Sequence, residues 1–384
     1  MVVGWLFGRY REKIAAELSS AVVERQVPIS QDYFIGLSYL INEQPDKAVD
    51  VFIKMLEVNS DTVETHLALG SLFRRRGEVS RAIRIHQNLI ARPQLSKKQR
   101  AQALFELGQD YLRSGVLDRA EKMFLEIIKV GGETEGSLNG LLNIYQQQQE
   151  WIKAIAIAKK IQATTDLDMR IPLSHYKCEL AVLAKVSGNY KQAKSYLKEA
   201  LAFDSQCVRA SLVLGEILFD EQLYDEAVKT LLLVAKQDFG YISETVSLLR
   251  ESYLKLGQEE KYFSYLVDNA RQYSDLTCIL AMVDYLTDKD NLSSAIECLS
   301  KHMTKSLSLR GSNKLLSLCI ELLNDDVDKP QLQFLQEVVN KIADEVSFRY
   351  LCTNCGFSSK SLYWQCPSCK RWNTTRLLDE ASVE

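Results

Sequence analysis

Helix-breaking residues are scarce in this sequence: 384 residues include only 6 prolines and 17 glycines. That scarcity excludes a collagen-like or low-complexity chain, and 46% hydrophobic with 25% charged residues excludes disorder. An excess of charge is also lacking, because a net charge of −3 supplies no global basic field for nucleic acid or anionic lipid. No run of about 18 apolar residues occurs, so no segment reads as a transmembrane helix. Gly-rich phosphate loops, nucleophile elbows and HExxH pairs are missing as well. The four histidines, His66, His86, His175 and His302, stand far apart with no second ligand at metal-binding spacing. They read as structural or surface residues, and nothing here points to an enzyme.

Cysteine is present but unevenly spread. Of nine cysteines, Cys178, Cys207, Cys278, Cys298 and Cys319 lie singly in helical patterns, whereas four crowd between Cys352 and Cys369. Such a split does not suit a disulfide framework. The isolated five read as small buried hydrophobes in a reducing compartment, which places the bulk of the chain in the cytoplasm.

What the sequence does contain is a repeat. Leu69-Gly70, Phe73, Gly77 and Ala82 recur at equal offsets as Leu107-Gly108, Tyr111, Gly115 and Ala120, which is the grammar of tetratricopeptide repeats. The marker alanine recurs at Ala48, Ala82, Ala120, Ala154, Ala193, Ala227 and Ala295, with steps of 34, 38, 34, 39, 34 and 68 residues. The double step skips one marker, expected at Lys261 in a weakened copy that keeps Tyr253 and Gly257. About eight copies therefore fill residues 30–305.

Each slot has a physical reason. A small residue at Gly36, Gly70, Gly108, Ala181 and Gly215 lets the paired helices approach. Gly77, Gly115, Gly188 and Gly257 end the first helix with positive φ. Tyr39, Phe73, Tyr111 and Tyr145 fill the gap to the next copy. The two long steps predict longer inter-repeat loops near Arg92–Lys98 and Thr164–Ile171, where Pro93 and Pro172 interrupt helix. After Pro330, apolar residues at helical spacing from Gln331 to Val346 predict a capping helix. The fold class is all-α: a tetratricopeptide-repeat superhelix of about eight to nine hairpins, with residues 1–29 before it, the array over 30–347, and a metal module over 348–384.

That module carries Cys352-x2-Cys355-x10-Cys366-x2-Cys369. Two residues between thiolates form a knuckle, and two knuckles close a tetrahedron for one ion, zinc or a rubredoxin-type iron. Four protein ligands leave no open position for chemistry. Phe357, Leu362, Tyr363, Trp364 and Trp372 are many large side chains for so small a module, and no Gly or Ser spacer separates Phe348–Leu351 from the preceding helix. Both features predict an aromatic interface between knuckle and repeats.

First-helix positions that face the groove in tetratricopeptide arrays map to Glu64, Leu67, Ser71, Arg74 and Arg75, then Phe105, Gln109, Leu112 and Arg113. Arg74, Arg75 and Arg113 make this end basic and suit it to carboxylates of a protein partner. Charge reversal at Arg74 and Arg75 is expected to weaken capture without unfolding the array.

Taken together, the order of features resembles the lipopolysaccharide assembly protein B family over nearly the whole chain. The resemblance rests on Gly4-Trp-Leu-Phe-Gly-Arg9, Asp46-Lys-Ala-Val-Asp50, Leu69 to Gln87, Asp118-Arg-Ala-Glu121 and Leu362-Tyr-Trp-Gln-Cys-Pro-Ser-Cys369. It implies a non-enzymatic adaptor, single-pass in the bacterial inner membrane on its cytoplasmic side, that promotes proteolysis of the deacetylase LpxC by FtsH and meets other lipopolysaccharide assembly proteins. The family's metal ligands carry over to Cys352, Cys355, Cys366 and Cys369. The departure is at the N-terminus, where Met1 to Phe7 are the only apolar residues before Arg9, Arg11 and Lys13, so the anchor is missing or truncated here. A homodimer is compatible with such an array. Electron transfer by a rubredoxin-like iron, generic protein assembly, and nucleic-acid binding through Lys360, Lys370, Arg371 and Arg376 stand as alternatives.

Overall fold

The computed structural model describes residues 34–51 in part, and residues 63–131, 134–273, 275–323, 329–345 and 350–377. The expected anchor remnant at 1–29 and most of the junction before the knuckle lie outside the described residues. The chain divides into two compact units, Met1–Gln148 and Gln149–Glu384.

In the first unit, Ala48 packs with Tyr39, Val51 and the core residues Leu69, Leu72, Phe73 and Ala82. Five helices follow: α1 (Val63–Arg75), α2 (Val79–Ile90), α3 (Lys97–Arg113), α4 (Leu117–Val130) and α5 (Thr134–Gln147). The second unit begins with α6 (Trp151–Thr164), α7 (Arg170–Val186), α8 (Tyr190–Phe203), α9 (Val208–Asp220) and α10 (Tyr224–Gln237). A 3-10 turn at Phe239–Glu244 leads into α11 (Val246–Leu256), α12 (Glu259–Tyr273), α13 (Leu276–Asp288) and α14 (Leu292–Met303). Then come α15 (Leu309–Leu322) and α16 (Lys329–Glu345). The unit ends in a small antiparallel sheet, β1 (Tyr350–Cys352), β2 (Ser358–Ser359) and β3 (Thr375–Leu377), with β1 central and Cys352 opposite Thr375.

All seven marker alanines are fully buried. The eighth slot is corrected by the structure: it falls at Tyr262, which is buried, while Lys261 is exposed. The reason is register, since the markers from Ala82 to Ala295 each stand five residues after the left-handed residue of their turn, and Gly257 plus five is Tyr262. Those turns form one series. Gly77, Gly115, Gly188 and Gly257 have φ of 84, 77 or less, and Gln149, Gln222 and Asp290 take the same slot at φ 57, 63 and 58. In the Gly115 turn the next N–H, on Val116, returns to the Tyr111 carbonyl at 2.9 Å, closing the helix end as a Schellman motif does.

Small first-helix residues admit a large group from the second helix. A Cβ built on Gly70, Gly108 or Gly215 would lie 2.3, 2.7 or 2.6 Å from His86, Phe124 or Leu231, each four residues past its marker alanine. Phe124 is gripped from both sides, because a Cβ on Gly140 of α5 would also meet it at 2.6 Å. The slot aromatics bridge copies as expected: the Tyr111 hydroxyl accepts from Gln87 at 2.8 Å, and the Tyr145 hydroxyl donates to Glu121 at 2.7 Å. Lys47, Arg81 and Arg119, each just before its alanine, sit 5.7, 5.5 and 5.6 Å from the rings of Tyr39, Phe73 and Tyr111.

Two expectations are modified. The extra residues of the long steps go largely into helix, since α3 and α7 have 17 residues where α1 and α9 have 13. Pro172 falls in the first turn of α7 instead of interrupting it, because first-turn N–H groups have no intrahelical partner to lose. The predicted terminal helix is α16, tied to α15 by Asn313–Asn340 and Gln336–Ser317 bonds of 2.6 Å. Its outer face is not the polar surface of a cap, for Phe334, Leu335, Val338 and Ile342 are exposed.

Replacing Gly108 by Ala gains helix propensity of about 1 kcal/mol but forces a methyl into the Phe124 ring. Overpacking costs typically 1–3 kcal/mol, and here it is reinforced by Gly140 blocking the ring's retreat. Net destabilisation of about 1–2 kcal/mol in urea melts is expected for Gly108→Ala, and none for an alanine at exposed Gln148.

Candidate functional site

The metal centre is built from two matching turns. Cys352 ends β1 and Gly356 turns at φ 74, donating its N–H to the Cys352 carbonyl at 2.9 Å. In the second turn Lys370, at φ 59, donates to the Cys366 carbonyl at 2.9 Å. The Gln365–Trp372 bridge closes that loop. The sulfurs of Cys352, Cys355, Cys366 and Cys369 all lie within 4.8 Å of one another. Cys352 and Cys369 are 3.8 Å apart, and Cys355 and Cys366 are 3.6 Å apart. A tetrahedron with metal–sulfur bonds of about 2.3 Å has edges of about 3.8 Å, so the donor set fits one zinc or iron ion. Burial opposes a charged Cys352 sulfur, yet the adjacent Thr374 hydroxyl and the N–H groups of Asn354 and Cys355 bring its thiol down to about 6, which favours the thiolate a metal requires.

The knuckle docks on the repeats of its own unit. Trp372 stacks on His175 of α7 at 4.5 Å and 17° and meets Tyr176 edge-on at 5.9 Å. Trp364 lies 5.2 Å from Tyr241 of the 3-10 turn and 5.9 Å from the Arg209 guanidinium of α9. Leu362 and Trp364 pack on the core cluster that includes Val208, Leu231 and Leu249. Arg376 of β3 pairs with Asp238 at 2.6 Å, covers the Tyr241 ring at 4.2 Å and donates to its hydroxyl. The Tyr350 hydroxyl donates to Glu244 at 2.8 Å.

His175 anchors this interface chemically. Its Nε2 is 2.7 Å from the side-chain oxygen Oδ1 of Asn373, so Nε2 carries the proton and donates. Burial, followed by the Arg209 charge, lowers its pKa to about 3, and the ring stays neutral under the tryptophan.

The predicted aromatic interface is therefore present with three of its five members. Leu362, Trp364 and Trp372 dock, whereas Phe357 and Tyr363 pair with each other at 6.4 Å and Tyr363 is exposed. Sequence reading missed His175, Arg209, Asp238 just before the 3-10 turn and Glu244 at its end. Two of the four cations that suggested nucleic-acid binding are engaged within the protein, Arg376 with Asp238 and Arg371 with Asn354 at 2.6 Å.

The second candidate lies in the first unit. Arg74 and Arg75 of α1, Gln109, Leu112 and Arg113 of α3, and Asn143 and Gln147 of α5 line a groove of about 520 Å³. Leu67 is buried in core instead, and Phe105 packs on Phe124 at 5.9 Å. Arg74 is already engaged: it pairs with Glu106 at 2.6 Å and with buried Asp110 at 2.8 Å. Asp110 turns its other oxygen to buried His86 at 2.5 Å. Burial works against the Arg74 charge, but its bonds to Glu106 and Asp110 more than offset this and raise its pKa. Arg75 and Arg113 are exposed on the groove, with no acidic partner among the described residues.

A family model described as a rubredoxin metal binding domain matches residues 350–376, and tetratricopeptide repeat models match residues 65–98 and 187–258. Along the whole chain, lipopolysaccharide assembly protein B of Escherichia coli (strain K12) is 34% identical over 373 residues, covering 97% of this chain and 94% of that protein. The chain belongs to the lipopolysaccharide assembly protein B family. The same protein of Haemophilus influenzae is 32% identical over 382 residues, again covering 97% and 94%. The family resemblance that the sequence suggested is thus shown, as is the pairing of tetratricopeptide repeats with a small metal-binding module. Among the described residues of this family member, no helix is long and apolar enough to cross a membrane.

The three groove arginines differ in what they hold up, since only Arg74 is paired to carboxylates. Removing Asp110 strips buried His86 of its carboxylate and leaves Arg74 with Glu106 alone; breaking a buried pair costs up to about 3–5 kcal/mol, and the remaining Glu106 pair holds the cost to the lower part of that range. Asp110→Ala should lower the denaturation midpoint accordingly, and Arg74→Glu should also destabilise, contrary to the sequence expectation. Arg113→Glu should stay within about 0.5 kcal/mol of the parent in the same melts.

Proposed function

We propose that the chain is a non-enzymatic adaptor of lipopolysaccharide assembly, anchored on the cytoplasmic side of the bacterial inner membrane, that brings the deacetylase LpxC to the protease FtsH. Kinship along almost the entire chain supports the pathway. The observation that carries the adaptor role is the groove between α1, α3 and α5, where two guanidinium groups are held open to solvent while the neighbouring carboxylates Glu106 and Asp110 are taken up by Arg74. A groove so arranged attracts carboxylates of a protein partner and offers no nucleophile or general base beside them.

Cys352, Cys355, Cys366 and Cys369 hold one ion, zinc or iron, in a structural role. When bound, the ion supplies the folding energy of a module with little core of its own, on the order of 10 kcal/mol. The chain's own residues then set the module in place: Trp364, Trp372 and Arg376 reach His175, Tyr241 and Asp238.

Capture from native membranes separates the two parts of this proposal. Full-length, anchored protein should retain LpxC and FtsH, Arg75→Glu with Arg113→Glu should lose at least one of them, and the circular dichroism of that variant should match the parent. Recovery of neither protein by the parent would refute the adaptor role.

Chelation addresses the module by itself. Stripping the ion should move Trp364 and Trp372 into water, read as a red shift of tryptophan emission, while the helical signal persists. Emission unchanged by a chelator that has removed the ion would contradict a structural role for the site.

A further inference from the structure

Two cysteines that stand 29 residues apart in sequence meet in the second unit. The Sγ atoms of Cys178, in the middle of α7, and Cys207, at the N-cap of α9, are 3.8 Å apart and both residues are fully buried. The other buried cysteine outside the metal centre, Cys278, has no such neighbour. The pair also lies beneath the knuckle's platform: His175 precedes Cys178 by three residues, and Arg209 follows Cys207 by two.

We infer that Cys178 and Cys207 are a dithiol modification site, which peroxide converts into a disulfide that staples α7 to α9. The chemistry divides between the two sulfurs. Cys207 sits where the unpaired N–H groups of a 13-residue helix begin, a place that stabilises a thiolate. Held by the Cys178 thiol against the opposing effect of burial, its thiol is lowered to about 7. Cys178 is pushed well up, first by that same contact and then by burial. Cys207 is therefore the nucleophile and Cys178 the resolving thiol.

The electrons balance with hydrogen peroxide as the only oxidant. The Cys207 thiolate attacks one peroxide oxygen, the O–O bond breaks, and the departing hydroxide takes a proton, leaving a sulfenic acid and one water. Cys178 sulfur then attacks the sulfenic sulfur. The S–O bond breaks, the Cys178 proton leaves with the hydroxyl as a second water, and the disulfide remains. Access is through the exposed Ser205-Gln206 loop immediately before Cys207. Oxidation is therefore limited by local opening and is slower than at a free surface thiol.

The test uses full-length, metal-loaded protein exposed to hydrogen peroxide, quenched with N-ethylmaleimide after denaturation and mapped by mass spectrometry without reduction. The expected product is a peptide joining Cys178 to Cys207, lighter by two hydrogens and restored by dithiothreitol, with Cys278 still alkylated as a free thiol. In Cys178→Ser the expected product is Cys207 trapped by dimedone as the sulfenic acid; in Cys207→Ser, no dimedone adduct at Cys178. The cross-linked parent should melt at a higher temperature than the reduced one. Full recovery of both thiols, or oxidation of Cys278 at the same rate as the pair, would overturn the assignment, and both outcomes are read on the parent protein alone.

Discussion

Three hairpins close because one first-helix position lacks a side chain and a large group from the second helix fills the space. His86 against Gly70, Phe124 against Gly108 and Leu231 against Gly215 are three versions of one contact. With the backbones this close, a hairpin still has an apolar face on its far side, and only the next copy covers it. Stability is consequently a matter of neighbours, and first helices come to stand side by side. In the first unit the groove is made from the first helices α1, α3 and α5, and in the second the platform is made from the first helices α7 and α9 together with the 3-10 turn.

The repeat was legible because its chemistry is local. A turn that needs φ near +60 to +85 selects glycine at Gly77, Gly115, Gly188 and Gly257, and a helix crossing selects alanine five residues later, so both leave a mark at fixed spacing. Where the turn accepts a non-glycine residue, at Gln149, Gln222 and Asp290, the mark fades although the geometry persists. The misplaced eighth slot shows the limit of counting. A period of 34 points to Lys261, whereas the 3-10 turn at Phe239–Glu244 shifts the register by one, and a buried tyrosine then occupies a slot that elsewhere demands alanine.

The metal centre was equally plain, since paired Cys-x2-Cys turns state their purpose in four residues. What could not be read were contacts between residues far apart in sequence. His175 and Trp372, 197 positions apart, stack in the structure, and nothing in either neighbourhood announces it. The same holds for Cys178 with Cys207, each of which looks solitary in its own helix pattern. Arg74 and Arg75 look alike in sequence, but the rotation of about 100° between adjacent helical residues sends the first into a buried network with Asp110 and His86 and leaves the second on the groove.

That network and the knuckle illustrate two ways of holding a rigid surface. Arg74, Asp110 and His86 are costly to bury, and a well-packed apolar trio would be at least as stable; what the polar groups add is geometry, because α1 cannot slide along α3 without breaking the bonds from Arg74 to Glu106 and Asp110. The knuckle inverts the arrangement. Its own residues 350–377 contribute only Tyr350, Cys352, Cys366, Ser359 and Thr375 as buried side chains, too few for a core, so an ion bound by four sulfurs would have to supply its stability. Its position comes from elsewhere: a neutral histidine stacked on Trp372, the Tyr241 ring beneath Arg376, and the Asp238 carboxylate paired with the same arginine. An ion in such a site acts at a distance of several residues by mechanical means. It would set the loop from Cys355 to Cys366 and the segment from Cys369 into β3, and those two segments carry Leu362, Trp364, Trp372, Asn373 and Arg376 to the platform.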